Sequence, residues 1–156
     1  MLIKRKDGTI VIKDDKCKTV AELLKKYKGL GKDLREADLR FADLSKVDLT
    51  GANLENAYLT GVDLRDAILF KANLKNTNLK YADLGQADLR EANLEDANLE
   101  YSHLGKANLE DADLREANLK HTILFKADLR KADLTGANLR DTNLLGANLT
   151  GTNLIL

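Results

Sequence analysis

The sequence predicts an all-β solenoid: a short hairpin and helix, then one long repeat. Three observations point to it. A leucine stands at every fifth position from Leu34 to Leu154, 25 of them in register across residues 32–156. A small residue lies two places before most of them and Asp or Asn one place before, as in Ala37-Asp38-Leu39 and Ala52-Asn53-Leu54. No proline and no insertion breaks the pattern. An α-helix would spread leucines spaced by five around its circumference, stepping about 140° each time. A straight strand would send successive leucines to opposite faces. Only a chain that bends once per pentad keeps every leucine inside, and the small residue two places earlier then points inward as well.

Residues 2–13 read as a β-hairpin, with Asp7-Gly8 as the turn signal and Ile10 and Ile12 alternating with Thr9 and Val11 on the return strand. Asp14 to Lys18 is a polar connection. Thr19 with Glu22 three residues on forms a capping box that opens a short α-helix through Val20, Leu23, Leu24 and Tyr27, ended by Gly29 and Gly31. Residues 1–31 are therefore expected to cap the first coil of the repeat, because a solenoid end exposes core and unpaired backbone. From residue 32 onward each pentad is one edge, and such repeats become stable only by stacking on their neighbours.

The A-(D/N)-L-x-x pattern over residues 32–156 resembles the pentapeptide-repeat family. That resemblance implies four pentads per coil and a right-handed quadrilateral β-helix. The 25 pentads then give about six coils, residue n lies beside n + 20, and the rod is on the order of 30 Å long.

Composition narrows the function. The chain has 25 Lys/Arg against 25 Asp/Glu, a net charge of zero. Residues 1–31 are basic and the repeat is mildly acidic, with positive and negative side chains interspersed, so neither part reads as a nucleic-acid surface. No long apolar run or signal-peptide core is visible, and Cys17 is the only cysteine, so a cytoplasmic protein without a disulfide is expected. No phosphate loop, H-E-x-x-H, nucleophile elbow or C-x-x-C occurs, and the two histidines have no evident pocket. No enzyme and no cofactor are expected.

Stacking by twenty defines the candidate sites. Asp43, Asp63, Asp83 and His103 share a column, the one candidate metal site; single-file ligands do not converge, so no metal is expected there. Phe41, Tyr81, Tyr101 and His121 form an aromatic column interrupted by Gly61. Ser102, Thr122 and Thr142 form an inner hydroxyl column. Ile68 and Phe70, their near duplicates Ile123 and Phe125, and Leu145 put apolar side chains where other pentads carry polar ones. They are the candidate partner-binding residues. The run Leu154-Ile155-Leu156 is apolar and is the candidate homodimer contact.

The expected function is a non-enzymatic rod that contacts a protein partner. Two alternatives stand beside it. The resemblance extends to quinolone-resistance pentapeptide proteins that mimic duplex DNA and bind DNA gyrase, although the interspersed Lys and Arg depart from an acidic mimic. The other alternative is a metal- or ligand-binding protein using the Asp43–His103 column.

Overall fold

The computed structural model describes residues 2–13, 15–16, 18–26 and 33–154. Strand β1 (Leu2–Lys4) pairs antiparallel with β2 (Ile10–Lys13), and helix α1 (Val20–Lys26) follows. From residue 33 the backbone forms single parallel bridges, each joining residue n to n + 20, from Asp33 with Asn53 through to Asp128 with Asn148. Four pentads thus complete one coil. Each side is a single bridge flanked by turns, too short to form a continuous strand.

The pentad can be derived from its hydrogen bonds. In residues 64–68, the N–H of Leu64 donates to the Asp83 carbonyl of the next coil at 2.7 Å, and that of Asp66 to the Gly85 carbonyl at 3.0 Å. Ala67 donates back to the Leu64 carbonyl at 3.0 Å, closing the corner, and Ile68 reaches the Val47 carbonyl of the preceding coil at 3.0 Å. The remaining N–H, that of Arg65, donates to the side-chain Oδ1 of Asp63 at 3.1 Å. Every donor of the five is therefore satisfied. The Asx before each leucine supplies the one acceptor that the backbone cannot, which is why a short side chain with an oxygen recurs there.

Each corner requires a left-handed residue two places after its leucine. All such positions from Glu36 to Gly151 have positive φ, between 55° and 78°. Five are glycine; the others include Asp, Asn, Lys, Glu, Tyr and His, and none is β-branched. Val, Ile and Thr are excluded because a branched Cβ clashes most severely in this conformation.

The interior is a leucine stack lined by alanines, fully buried from Leu34 to Leu129. Ser102 Oγ and Thr122 Oγ1 both donate to the Leu99 carbonyl, at 2.6 and 2.8 Å, and Thr142 Oγ1 donates to the Leu119 carbonyl at 2.7 Å. The hydroxyl column thus bonds to backbone and not along itself. In the last coil Leu139, Leu144, Leu149 and Leu154 are only partly buried.

The N-terminal elements pack on the other end. Arg5 bridges Ala37 antiparallel, Asp38 N–H donates to the Lys4 carbonyl at 2.8 Å, and Ile3, Leu23 and Leu24 join the leucine core. The hairpin differs from the expected tight turn. Its strands stop at Lys4 and resume at Ile10 with a bulge, and Arg5 and Thr9 close a wider loop at 2.8 Å in which Gly8 has φ 88°. Asp7 Oδ1 is held there by the Thr9 N–H at 2.8 Å, so Asp7 and Gly8 shape the loop without being a two-residue turn. The capping box is present: Glu22 N–H donates to Thr19 Oγ1 at 3.1 Å, and Glu22 Oε2 accepts from the N–H groups of Lys18 and Thr19 at 2.7 and 3.4 Å. Cys17, Tyr27, Gly29, Gly31, Ile155 and Leu156 lie outside the described residues. No helix among the described residues is long and apolar enough to cross a membrane.

Candidate functional site

One side of the coil, bearing Leu44, Leu64, Leu84, Leu104, Leu124 and Leu144, carries most of the departures from the repeat. Before these leucines stand Asp43, Asp63, Asp83, His103, Ile123 and Asn143, joined in series by bridges. After them stand Ser45, Arg65, Gly85, Gly105, Phe125 and Leu145.

The upper part of this side is a charge network. Arg65 grips both carboxylate oxygens of Asp63, with Nε to Oδ1 at 2.9 Å, and its Nε lies 3.8 Å from Asp83 Oδ2. Asp43 Oδ1 accepts from the Ser45 hydroxyl at 2.7 Å. His103 Nδ1 lies 3.1 Å from Asp83 Oδ1; a carboxylate only accepts, so that nitrogen carries the proton. The Arg65 fork pulls the Asp63 carboxyl below the usual range, and the Ser45 hydroxyl does the same for Asp43. The predicted column is therefore assembled as a stack, but with an arginine between its carboxylates. No group of three or more His, Cys, Asp or Glu with metal-holding geometry occurs among the described residues.

The lower part is apolar. Ile123 is 41% exposed and Leu145 70%, and Phe125 lies between coils with the Lys126 ammonium 5.1 Å from its ring centre. Ile68, 42% exposed, and Phe70 belong to a different column, where Ile68 bridges Asp48 and Asp88. Phe70 is flanked by Lys71 and by the Arg90 guanidinium, 4.9 and 5.4 Å from its ring centre. The two apolar pairs that look alike in sequence thus do not merge; only Ile123, Phe125 and Leu145 form one stripe. The aromatic column lies on another side. Tyr81, Tyr101 and His121 stack with ring centres 5.4 and 4.7 Å apart, while Phe41 leans over Gly61, where a Cβ would approach its ring to 2.6 Å.

Between the charge network and the apolar stripe lies a notch of about 300 Å³. Sequence reasoning missed it. Its floor is Gly85 and Gly105, stacked at a position where the corner does not require positive φ. Two consecutive glycines twenty residues apart, without a turn that needs them, were the available signal.

Elsewhere, each of the six Asp-Leu-Arg triplets folds into the same fork, for example Arg90 Nε to Asp88 Oδ1 at 2.8 Å and Arg115 Nε to Asp113 Oδ1 at 2.8 Å. Further ion pairs cross between coils, including Lys75 with Glu95 and Lys80 with Glu100, each at 2.8 Å.

The profile of the pentapeptide repeats matches in 8 copies over residues 33–69, 67–100, 92–130 and 124–154. Among solved structures, a pentapeptide repeat protein from the Arabidopsis thaliana thylakoid lumen is 32% identical, with 67% of this chain and 69% of that one covered and a TM-score of 0.50. HetL of the cyanobacterium Nostoc sp. strain PCC 7120, involved in heterocyst differentiation regulation, is 31% identical over 77% of this chain and 73% of that one, at a TM-score of 0.39. QnrB1, a plasmid-mediated fluoroquinolone resistance protein, is 20% identical over 80% and 77%, at a TM-score of 0.41. A comparison with curated proteins gave no match. With the repeat profile spanning the coil and parallel bridges joining each residue n to n + 20, the chain belongs to the pentapeptide-repeat family.

Proposed function

We propose that this protein is a non-enzymatic interaction rod whose binding surface is the side bearing Ile123, Phe125 and Leu145. The observation that carries this reading is the position of those three apolar side chains. Most other pentads place a polar residue or glycine there; Ile123 and Leu145 are exposed around the half-buried Phe125, and clustered apolar surface of this kind marks a contact. Lys106 and Lys126 flank the stripe and make no ion pair among the described residues. The partner that fits is a protein with an apolar patch rimmed by carboxylates.

The right-handed winding of the coil and the capping role of residues 1–31 belong to the same reading. So does pairing with a second copy through Leu154 and its neighbours, supported by the partly exposed Leu139, Leu144 and Leu149. The Asp-Leu-Arg forks favour this reading over duplex mimicry. An arginine closes over each of those carboxylates, so the rod presents neutral pairs and not a phosphate-like row.

Affinity capture with the native rod, compared with a Phe125→Ser/Leu145→Ser variant and a Lys106→Glu/Lys126→Glu variant, tests the proposal. One partner should be lost with both variants and should elute as salt rises. Identical capture by all three rods would reject it.

A further inference from the structure

A backbone donor without a protein acceptor lies at the notch. In every described pentad from Arg35 to Thr150 with Asp or Asn before the leucine, the N–H after the leucine is taken by that side chain. Four pentads have Tyr58, Ile68, His103 or Ile123 there, and the N–H groups of Thr60, Phe70, Gly105 and Phe125 find no protein acceptor. Of these four residues only Gly105 is buried. His103 does not serve it: its Nδ1 is turned to Asp83, and the Gly105 N–H forms no bond to either ring nitrogen. A backbone amide without a protein partner asks for an explanation.

Its surroundings supply one. Gly105 and Phe125 line the same notch, and their free N–H groups sit on successive coils, roughly 4.8 Å apart. Lys106 and Gln86 line it too, and neither is engaged among the described residues. The acids that line it are on the side of the earlier coils: Asp83, held by His103 and near Arg65, and Asp66. On this side of the rod the pentads around Leu104 and Leu124 carry Lys106 and Lys126 and no acid. Phe125 lines the lower end. The two glycines make room for the His103 ring beside the notch: a Cβ at Gly105 would come within 2.9 Å of its Nε2, and one at Gly85 within 3.2 Å of its Nδ1.

We propose that the Gly85–Gly105 notch binds a carboxylate attached to an apolar body, its oxygens accepting from the Gly105 and Phe125 N–H groups and Lys106 while the body packs on Phe125. The carboxylate belongs either to a free small acid or to a peptide chain end, and the site stands whether or not the rod has a protein partner.

The test is a titration of the full chain followed by amide nitrogen–proton correlation spectra. Three probes are used: sodium 3-phenylpropionate, its neutral amide, and an acetylated peptide ending in phenylalanine with a free carboxylate. The acid and the peptide should shift the Gly105 and Phe125 amides saturably, and the neutral amide should not. Lys106→Met, at an exposed position, should weaken binding about tenfold, the loss of one charged hydrogen bond. Gly105→Ala should abolish it. If Gly105→Ala does not fold, Lys106→Met alone decides. A peptide that saturates at a concentration at least ten times lower than the free acid identifies a chain end as the source; equal affinity identifies a small acid. No shift at these two amides at millimolar probe, an equal response to the neutral amide, or unchanged affinity in Lys106→Met would each overturn the proposal.

Discussion

Lys46 offers a clean test of the corner. Its φ is 58°, its side chain is exposed, and its ammonium makes no ion pair among the described residues. A substitution there consequently reports on backbone conformation alone. A non-glycine residue held left-handed costs roughly 1–2 kcal/mol. Lys46→Gly removes that cost but returns roughly 0.5–1 kcal/mol of chain entropy to the unfolded state, leaving stability unchanged or raised by up to about 1.5 kcal/mol. Lys46→Val adds a branched Cβ to a conformation that already disfavours one, for a further loss of about 1–2 kcal/mol. Thr50→Val is the control. Thr50 follows its leucine directly, has no positive φ, and is itself β-branched, so the change should stay within about 0.5 kcal/mol. With a urea slope of about 2 kcal/mol per molar, Lys46→Val should lower the midpoint by about 0.5–1 M relative to the native chain. If valine is tolerated at 46 as well as at 50, the corner is not left-handed and the pentad geometry is wrong.

Three further outcomes follow from the same structure. Leu84→Ala, at a fully buried position, should cost about 2–5 kcal/mol in urea unfolding, and Leu149→Ala in the partly exposed last coil less than half as much; equal losses would contradict the burial gradient. Thr122→Val should cost about 1 kcal/mol by removing the bond to the Leu99 carbonyl, and the double variant with Ser102→Ala should cost more than the sum of the two singles, because the hydroxyl left alone bonds the shared acceptor more strongly. The Arg35 guanidinium holds the Asp33 carboxyl down at about 2, and its counterparts hold Asp38, Asp63, Asp88, Asp113 and Asp128 low as well. A depressed folded-state value stabilises fully above the unfolded value near pH ~4 and is lost as pH falls toward 2. The urea midpoint should be level from pH 5 to 7 and drop between about pH 4 and 2. A drop centred near pH 6 would assign the effect to other groups.

The period of five and the inward leucines were legible because they depend on one pentad alone. The local role of Asx was legible for the same reason, and Arg65 with Asp63 shows its full form. Contacts between coils were harder, since they depend on how many pentads close a turn. The column Asp43–His103 was found by stacking, but the arginine between its carboxylates was not, although Asp-Leu-Arg is a pattern in the chain. Asn, never Asp, precedes every leucine followed by Glu, which avoids two acids at the same corner. The notch was invisible for a different reason: glycine usually signals a turn, and only the backbone φ shows that Gly85 and Gly105 are not needed for one. Ile68 and Ile123 sit in matching pentads, but stacking by twenty sends them to different columns, as the bridges show. The hairpin strands were overextended because Asp7 bonds Thr9 and widens the loop.

Spin labels on cysteines at positions 50 and 150, with Cys17 replaced by serine, would measure the closure of the coil most directly. The two sites are one hundred residues apart in sequence and five coils apart if n lies beside n + 20, so the account predicts a narrow distribution near about 24 Å along one column. A separation near about 19 Å, the result for five sides per coil, or near about 32 Å, the result for three, would contradict it.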